Sequence, residues 1–271
     1  MRTARSLARR VVPRSLRSSR FPIVAPAATG RSFVSYIFIC GLHRSGTTLL
    51  ENLVHAACDV TVLRAKVPEN EGQHLQDVYP PAQRHGGPGR FAFAPEMHPG
   101  SVADPIASAH RQRLLACWTP WMLGEGSALL EKSPPNLTKI PWLRSVFPGA
   151  QFIVLTRDPR AVAMATARWS RTSLEELIFH WHVAYASART SLGPDCHLVR
   201  YEELCGHPER ILGELVDKLR LSRRKQSLAL PSRFEIYDAN AKYLSRFPPR
   251  VFASGSWTSF GYRLDSVACD R

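Results

Sequence analysis

Apolar residues along this chain gather into short runs separated by stretches with helical spacing. Ser35–Cys40 (SYIFIC) is a run stopped by Gly41, as a buried strand would be, and Leu49, Leu50, Leu53 and Val54 share one face of a helix over Leu49–Ala57. Ala128–Glu131 (ALLE), Gln151–Thr156 (QFIVLT) and His197–Tyr201 (HLVRY) supply three more strands. Helices are predicted over residues 105–123, Leu137–Val146, Asp158–Ser170, Ser173–Leu192 and Pro208–Leu219, with Ser173 as an N-cap ahead of Glu175 and Glu176. Residues 64–105 are polar and turn-rich, with Gly and Pro crowded into His85–Gly100. A connection of that length without a period of its own is expected to act as a binding loop. Strands alternating with helices predict a single α/β domain over residues 32–271, three-layered, with a central, mostly parallel sheet.

Composition changes the picture in one respect. The 271 residues are 44% hydrophobic and 21% charged, which excludes a fibrous or wholly disordered chain, but 36 Lys and Arg face 22 Asp and Glu, a formal charge of +14. That excess invites a basic nucleic-acid-binding protein as one reading. Its distribution argues against it. Residues 1–31 hold eight arginines and no acid, the first acidic residue being Glu51, so the body carries only about +6. An Arg-rich, Ser-containing, acid-free segment without an apolar core reads as a mitochondrial or plastid transit peptide, with a functionless basic arm as the alternative and a cytoplasmic protein as its consequence. No apolar run is long enough for a membrane helix. The six cysteines are scattered without metal-binding or paired spacing, and are expected as reduced thiols.

The strongest chemical signal follows the first strand. Gly41-x4-Gly46-Thr47-Thr48 has the spacing of the GxxxxGK[ST] phosphate loop, with Thr47 where nucleoside triphosphatases place lysine. The triphosphate contact is lost, yet backbone N–H groups at the helix N-terminus still form an anion cradle, beside which Arg44 supplies a planar cationic fork. Arg157, just past the Gln151–Thr156 strand, is expected to point into the crevice at the strand ends, with pairing to Asp158 as the competing role.

Five ordered stretches resemble the sulfotransferase superfamily: Arg44-Ser-Gly-Thr-Thr48, Glu131-Lys-Ser-Pro134, Leu155-Thr-Arg-Asp-Pro-Arg160, Val199-Arg-Tyr-Glu-Glu-Leu204 and Phe260-Gly-Tyr262. The resemblance implies a fold like that of P-loop nucleoside triphosphatases, and 3′-phosphoadenosine 5′-phosphosulfate (PAPS) as co-substrate without a metal. Gly41, Arg44, Ser45, Gly46, Thr47 and Thr48 would then hold the phosphosulfate, Lys132 would lie near the bridging oxygen, and Arg157 would hold the 3′-phosphate. The family commonly has a serine eight residues after that arginine; here the position is Ala165, and Thr166 or Ser170 is the substitute.

An acceptor hydroxyl needs a base within hydrogen-bonding reach. The resemblance places it in Val67–His74, with Glu71 first, Glu69 second and His74 third. A solvated acidic loop is the bland alternative. His180 and His182 are two apart on one helix and are expected as ordinary histidines rather than a metal pair, the aromatic residues at 118, 121, 142, 147, 169, 179 and 181 as packing, and Arg220–Lys225 as a solvated basic loop. The leading reading is sulfuryl transfer to a small-molecule, carbohydrate or peptide acceptor, with no nucleic-acid partner. A P-loop kinase is the enzymatic alternative, opposed by Thr47. Nothing in residues 85–105, expected to shape the acceptor pocket, distinguishes the acceptors.

Overall fold

The computed structural model describes residues 32–230 and 236–265; the basic segment 1–31, read above as a transit peptide, lies outside them. Six strands form one sheet: β1 (Ser35–Cys40), β2 (Val60–Leu63), β3 (Met122–Leu123), β4 (Ala128–Lys132), β5 (Gln151–Thr156) and β6 (Cys196–Arg200). Their order is β3-β2-β4-β1-β5-β6, all neighbours parallel except the antiparallel β2–β3 pair. Among the described residues no helix is long and apolar enough to cross a membrane.

Side-chain alternation divides the core into the two faces that a three-layer fold requires. Phe38 and Cys40 of β1, with Phe152 and Val154 of β5, pack beneath α3 (Ile140–Val146), α4 (Pro159–Ala167) and α5 (Leu174–Arg189). Ile37 and Ile39, with Ile153 and Leu155, pack against α1 (Thr47–Ala57) and α7 (Pro208–Leu219). The helices stop and start where local chemistry directs. Ser173 closes a capping box with Glu176 at the head of α5, and the Asp158 carboxylate accepts from the Arg160 N–H to cap α4. The chain leaves β1 toward β2 and later returns to fill β5 and β6 on the other side. The loop after β1 therefore opens where the winding reverses, the place where parallel sheets expose a crevice at their strand ends.

Several expectations need correction. The strands β2 and β3 go beyond the expected elements, whereas the turn-rich stretch 64–105 does fold into turns, five short 3₁₀ ones, and buries Phe91, Ala92 and Met97 in the core. The helix expected over 105–123 ends as α2 (Ile106–Trp118), a 3₁₀ turn and β3. Lys132 is the last residue of β4, one beyond the strand end expected at Glu131, and Tyr201 begins α6 (Tyr201–Gly206) rather than ending a strand. Trp118, Trp142, Phe147 and Trp181 are core packing, whereas Trp121, Trp169 and Phe179 are exposed at 42%, 74% and 57%. In the basic run Arg220, Arg223 and Lys225 are exposed, as a solvated loop requires, while Arg224 is half-buried: it donates from Nε to the His55 carbonyl and from its backbone to the Ala57 carbonyl at the C-terminal end of α1.

Candidate active site

Gly41–Thr48 turns sharply from β1 into α1. A Cβ on Gly41 would stand 2.8 Å from Ser45 Oγ and 2.9 Å from the Leu155 carbonyl, and Gly46, at φ +102°, would place one 2.6 Å from the Tyr201 ring. Both glycines are therefore demanded by the close approach of the loop to β5 and α6. Ser45 is fully buried, and its hydroxyl donates to the Leu42 carbonyl at 2.6 Å, which tightens the turn. Thr47 is buried and opens α1, and Thr48 is half-buried behind it. The first helical bond runs from the Leu50 N–H to the Gly46 carbonyl, so the preceding amides have no intrahelical acceptor. Arg44 is exposed at the lip of this cradle, at φ +69°.

The β5 side carries Arg157, 6% exposed and fixed on several sides. Its Nε donates to Asn240 Oδ1 at 2.8 Å, its Nη1 to the Arg44 carbonyl at 2.9 Å, and its guanidinium lies 4.0 Å from the centre of the Tyr201 ring. Its buried Nη2 has no hydrogen-bond partner among the described residues. Asp158 is instead engaged by Arg160 at 2.8 Å, so the competing ion pair for Arg157 is taken. Glu202, which the sequence reading passed over, gathers the surrounding groups. Its carboxylate accepts from the Asp158 N–H, Asn240 Nδ2 and the Tyr262 hydroxyl, all within 2.9 Å. The late strand-to-helix motif and the C-terminal Phe-Gly-Tyr element thus converge on Arg157. Glu202 stands inside a motif visible in the sequence; Asn240 has no such signal.

The β4 side carries Lys132. Register pairs it with Ile39, two residues before Gly41, which sets it beside the root of the phosphate loop. Its buried ammonium donates to the Glu69 carbonyl at 2.8 Å and lies 3.5 Å from Glu71 Oε1. Glu71 is 5% exposed, hydrogen-bonded by Gln73 Nε2, with His74 Nε2 at 3.6 Å. Burial alone would raise the Glu71 carboxyl, but the adjacent His74 ring, the Lys132 charge and the Gln73 amide outweigh it and hold it down at about 2. Of the three candidate bases the structure therefore brings Glu71 to the lysine. Glu69 turns its backbone carbonyl inward while its side chain is exposed, and His74 stands behind Glu71.

Thr166 is buried elsewhere, in a cavity of about 10 Å³ that it lines with Leu42, His43, Val162 and His180. Ser170 donates to the Thr172 hydroxyl. His43, inside the loop, has both ring nitrogens buried without a partner among the described residues, and desolvation lowers its pKa to about 4. His180 accepts from the Ala92 N–H and His182 from the Ser256 N–H, on different sides of α5.

A family model described as the sulfotransferase family matches residues 36–225. Protein-tyrosine sulfotransferase 1 of Danio rerio is 26% identical over 190 residues, covering 66% of this chain and 51% of that protein, so the chain spans about half the length of this curated relative. Two solved structures share the fold. The sulfotransferase domain of the Synechococcus PCC 7002 olefin synthase superposes with a TM-score of 0.52 at 16% identity, covering 86% of this chain and 97% of that one. The sulfotransferase domain from the curacin biosynthetic pathway gives 0.54 at 18% identity, over 86% and 99%.

Proposed function

Because the chain belongs to the sulfotransferase family, we propose that it transfers a sulfuryl group from PAPS to an acceptor hydroxyl or amine. The observation that carries this reading is the Nη2 of buried Arg157, unpartnered among the described residues, across the phosphate loop from the buried Lys132–Glu71 pair. A buried guanidinium nitrogen without an acceptor costs about 1–3 kcal/mol, a cost that an anionic ligand group removes. The residues fit the co-substrate. The amides at the head of α1 and Arg44 suit the phosphosulfate, and Arg157 Nη2 suits the 3′-phosphate, with Asn240 and Tyr201 fixing the guanidinium plane.

PAPS supplies the activated sulfuryl group. Glu71, ionised at neutral pH, takes the acceptor proton as the acceptor oxygen or nitrogen bonds to sulfur. Lys132 and the loop amides stabilise the charge that develops on the 5′-phosphate as its bond to sulfur breaks, releasing adenosine 3′,5′-bisphosphate. A tyrosyl peptide enters the acceptor test because the curated relative is a protein-tyrosine sulfotransferase.

Calorimetric titration with adenosine 3′,5′-bisphosphate and with ATP·Mg²⁺, followed by transfer of radiolabelled sulfate from PAPS to pooled sugars, tyrosyl peptides, lipids and phenols, tests this proposal. The bisphosphate is expected to bind, and Arg44→Ala and Lys132→Ala are each expected to lower transfer about 10²–10³-fold. Binding of ATP·Mg²⁺ with neither PAPS nor the bisphosphate would overturn the reading.

A further inference from the structure

Glu131 and Lys132 are adjacent at the end of β4, so their side chains leave opposite faces of the strand. From one face Lys132 holds the Glu69 carbonyl and the Glu71 carboxylate. From the other, Glu131, 1% exposed, accepts the Gly72 N–H at 3.0 Å. The stretch from Glu69 to Gln73 therefore straddles the strand end and is gripped from both sides. The Gly72 peptide is held at its carbonyl too, by Trp118 Nε1 at 3.1 Å.

The remaining contacts of Glu131 extend the grip in two directions. Ser133 Oγ donates to Oε1 at 2.6 Å and itself accepts the Gln73 N–H at 3.0 Å. Asn136 Nδ2 donates to Oε2 at 2.6 Å and also reaches the Ile39 carbonyl at 3.3 Å, at the root of the phosphate loop. One buried carboxylate thus links the backbone just after Glu71, at Gly72 and through Ser133 at Gln73, to the strand that carries the anion cradle. The fit is close: a Cβ on Gly72 would lie 2.6 Å from Glu131 Oε1.

We propose that Glu131 is a positioning residue for transfer, holding Gly72 and Gln73 so that the preceding Glu71 faces Lys132 beside the phosphate loop. This rests on the sulfotransferase reading above. Glu131 acts through Glu71 and touches no reacting atom. Among the described residues the partners of its carboxylate are all donors, so a carboxylate satisfies the site and an amide does not. Glu131→Gln keeps the shape but turns an NH₂ group toward one of these donors.

The test measures kcat, bisphosphate affinity and melting temperature for Glu131→Gln, Glu71→Gln and the double variant. In Glu131→Gln, kcat is expected to fall about 10²-fold, the scale of an ångström-sized misplacement. Bisphosphate affinity should stay within about threefold of wild type, since its sites lie on the loop and on Arg157. The double variant is expected to be no slower than Glu71→Gln alone, because a positioning residue has nothing left to position. An unchanged kcat in Glu131→Gln, losses that multiply in the double variant, or a parallel fall in bisphosphate affinity and melting temperature would each overturn the assignment. Should Glu131→Gln fail to fold, Gly72→Ala, which crowds the same carboxylate from the chain side, takes its place with the same expected pattern. A wild-type protein that neither binds the bisphosphate nor transfers sulfate removes the underlying reading and this assignment together. Normal transfer by both wild type and Glu131→Gln removes this assignment alone.

Discussion

On the β5 side of the phosphate loop, Arg157 is fixed by side chains from separate stretches, Asn240, Tyr201 and, through Asn240, Glu202, and still keeps one buried nitrogen without a partner among the described residues. On the β4 side, Lys132 and Glu131 grip a five-residue stretch largely by its backbone, and Lys132 and Glu71 satisfy each other. The first arrangement leaves a donor whose desolvation cost a ligand can relieve. The second is internally paired, and breaking such a pair leaves a buried charge uncompensated. The β5 side should therefore govern how tightly the nucleotide is held, and the β4 side how fast the sulfuryl group moves.

The largest effect expected under that division comes from Glu71→Gln. Removing the base while keeping the side-chain volume should lower kcat about 10²–10⁴-fold and leave bisphosphate affinity near that of wild type, measured by calorimetry beside steady-state transfer. A comparable loss of affinity would show that the two sides are not separable. A smaller effect of opposite kind is expected from Arg157→Lys, which keeps the charge but cannot reach Asn240, the Arg44 carbonyl and a phosphate with one planar fork. One charged hydrogen bond lost is about 1.5–3 kcal/mol, or roughly 10–100-fold in bisphosphate affinity. Rate at saturating PAPS should change far less. A variant that binds normally but transfers slowly would invert the comparison.

The two sides also differed in how readily they could be read from sequence. The phosphate loop is legible because local sterics dictate it: Gly41 and Gly46 face neighbours that leave no room for a Cβ. Arg157 is legible because a residue just past a buried strand faces the crevice. The β4 side resists because its chemistry is assembled across sequence. Glu69, Glu71 and His74 can only be ranked from the sequence, and it takes Lys132, on a strand distant in sequence, to single out Glu71. Glu131 looks like part of a strand motif until its three donors are seen. The four residues of β2, Val-Thr-Val-Leu, are too short a run to stand out between α1 and the turn-rich stretch that follows. The exposure of Phe179 on α5, and of Trp169 in the turn after α4, was hidden for a related reason, since composition alone does not tell which residues the tertiary fold covers.

Thr166 provides the finest test of where the nucleotide side ends. With Ala165 at the position where the family commonly has serine, Thr166 is the nearest hydroxyl in sequence, and a hydroxyl bound to the 3′-phosphate would be worth about 1.5–3 kcal/mol. The structure puts this side chain in a cavity of about 10 Å³ behind the loop, lined by Leu42, Val162, Leu177 and two histidines. That volume is at the lower limit for a single water molecule and far below what a phosphate needs. Thr166→Val, which exchanges the hydroxyl for a methyl at nearly constant volume, is therefore expected to change bisphosphate affinity less than about twofold, well under the effect of one lost charged hydrogen bond. A drop of tenfold or more would mean that α4 turns Thr166 toward the ligand when the nucleotide binds, and would extend the β5-side machinery by one residue. An unchanged affinity would leave Arg157 and the residues that orient it as the 3′-phosphate site on this side.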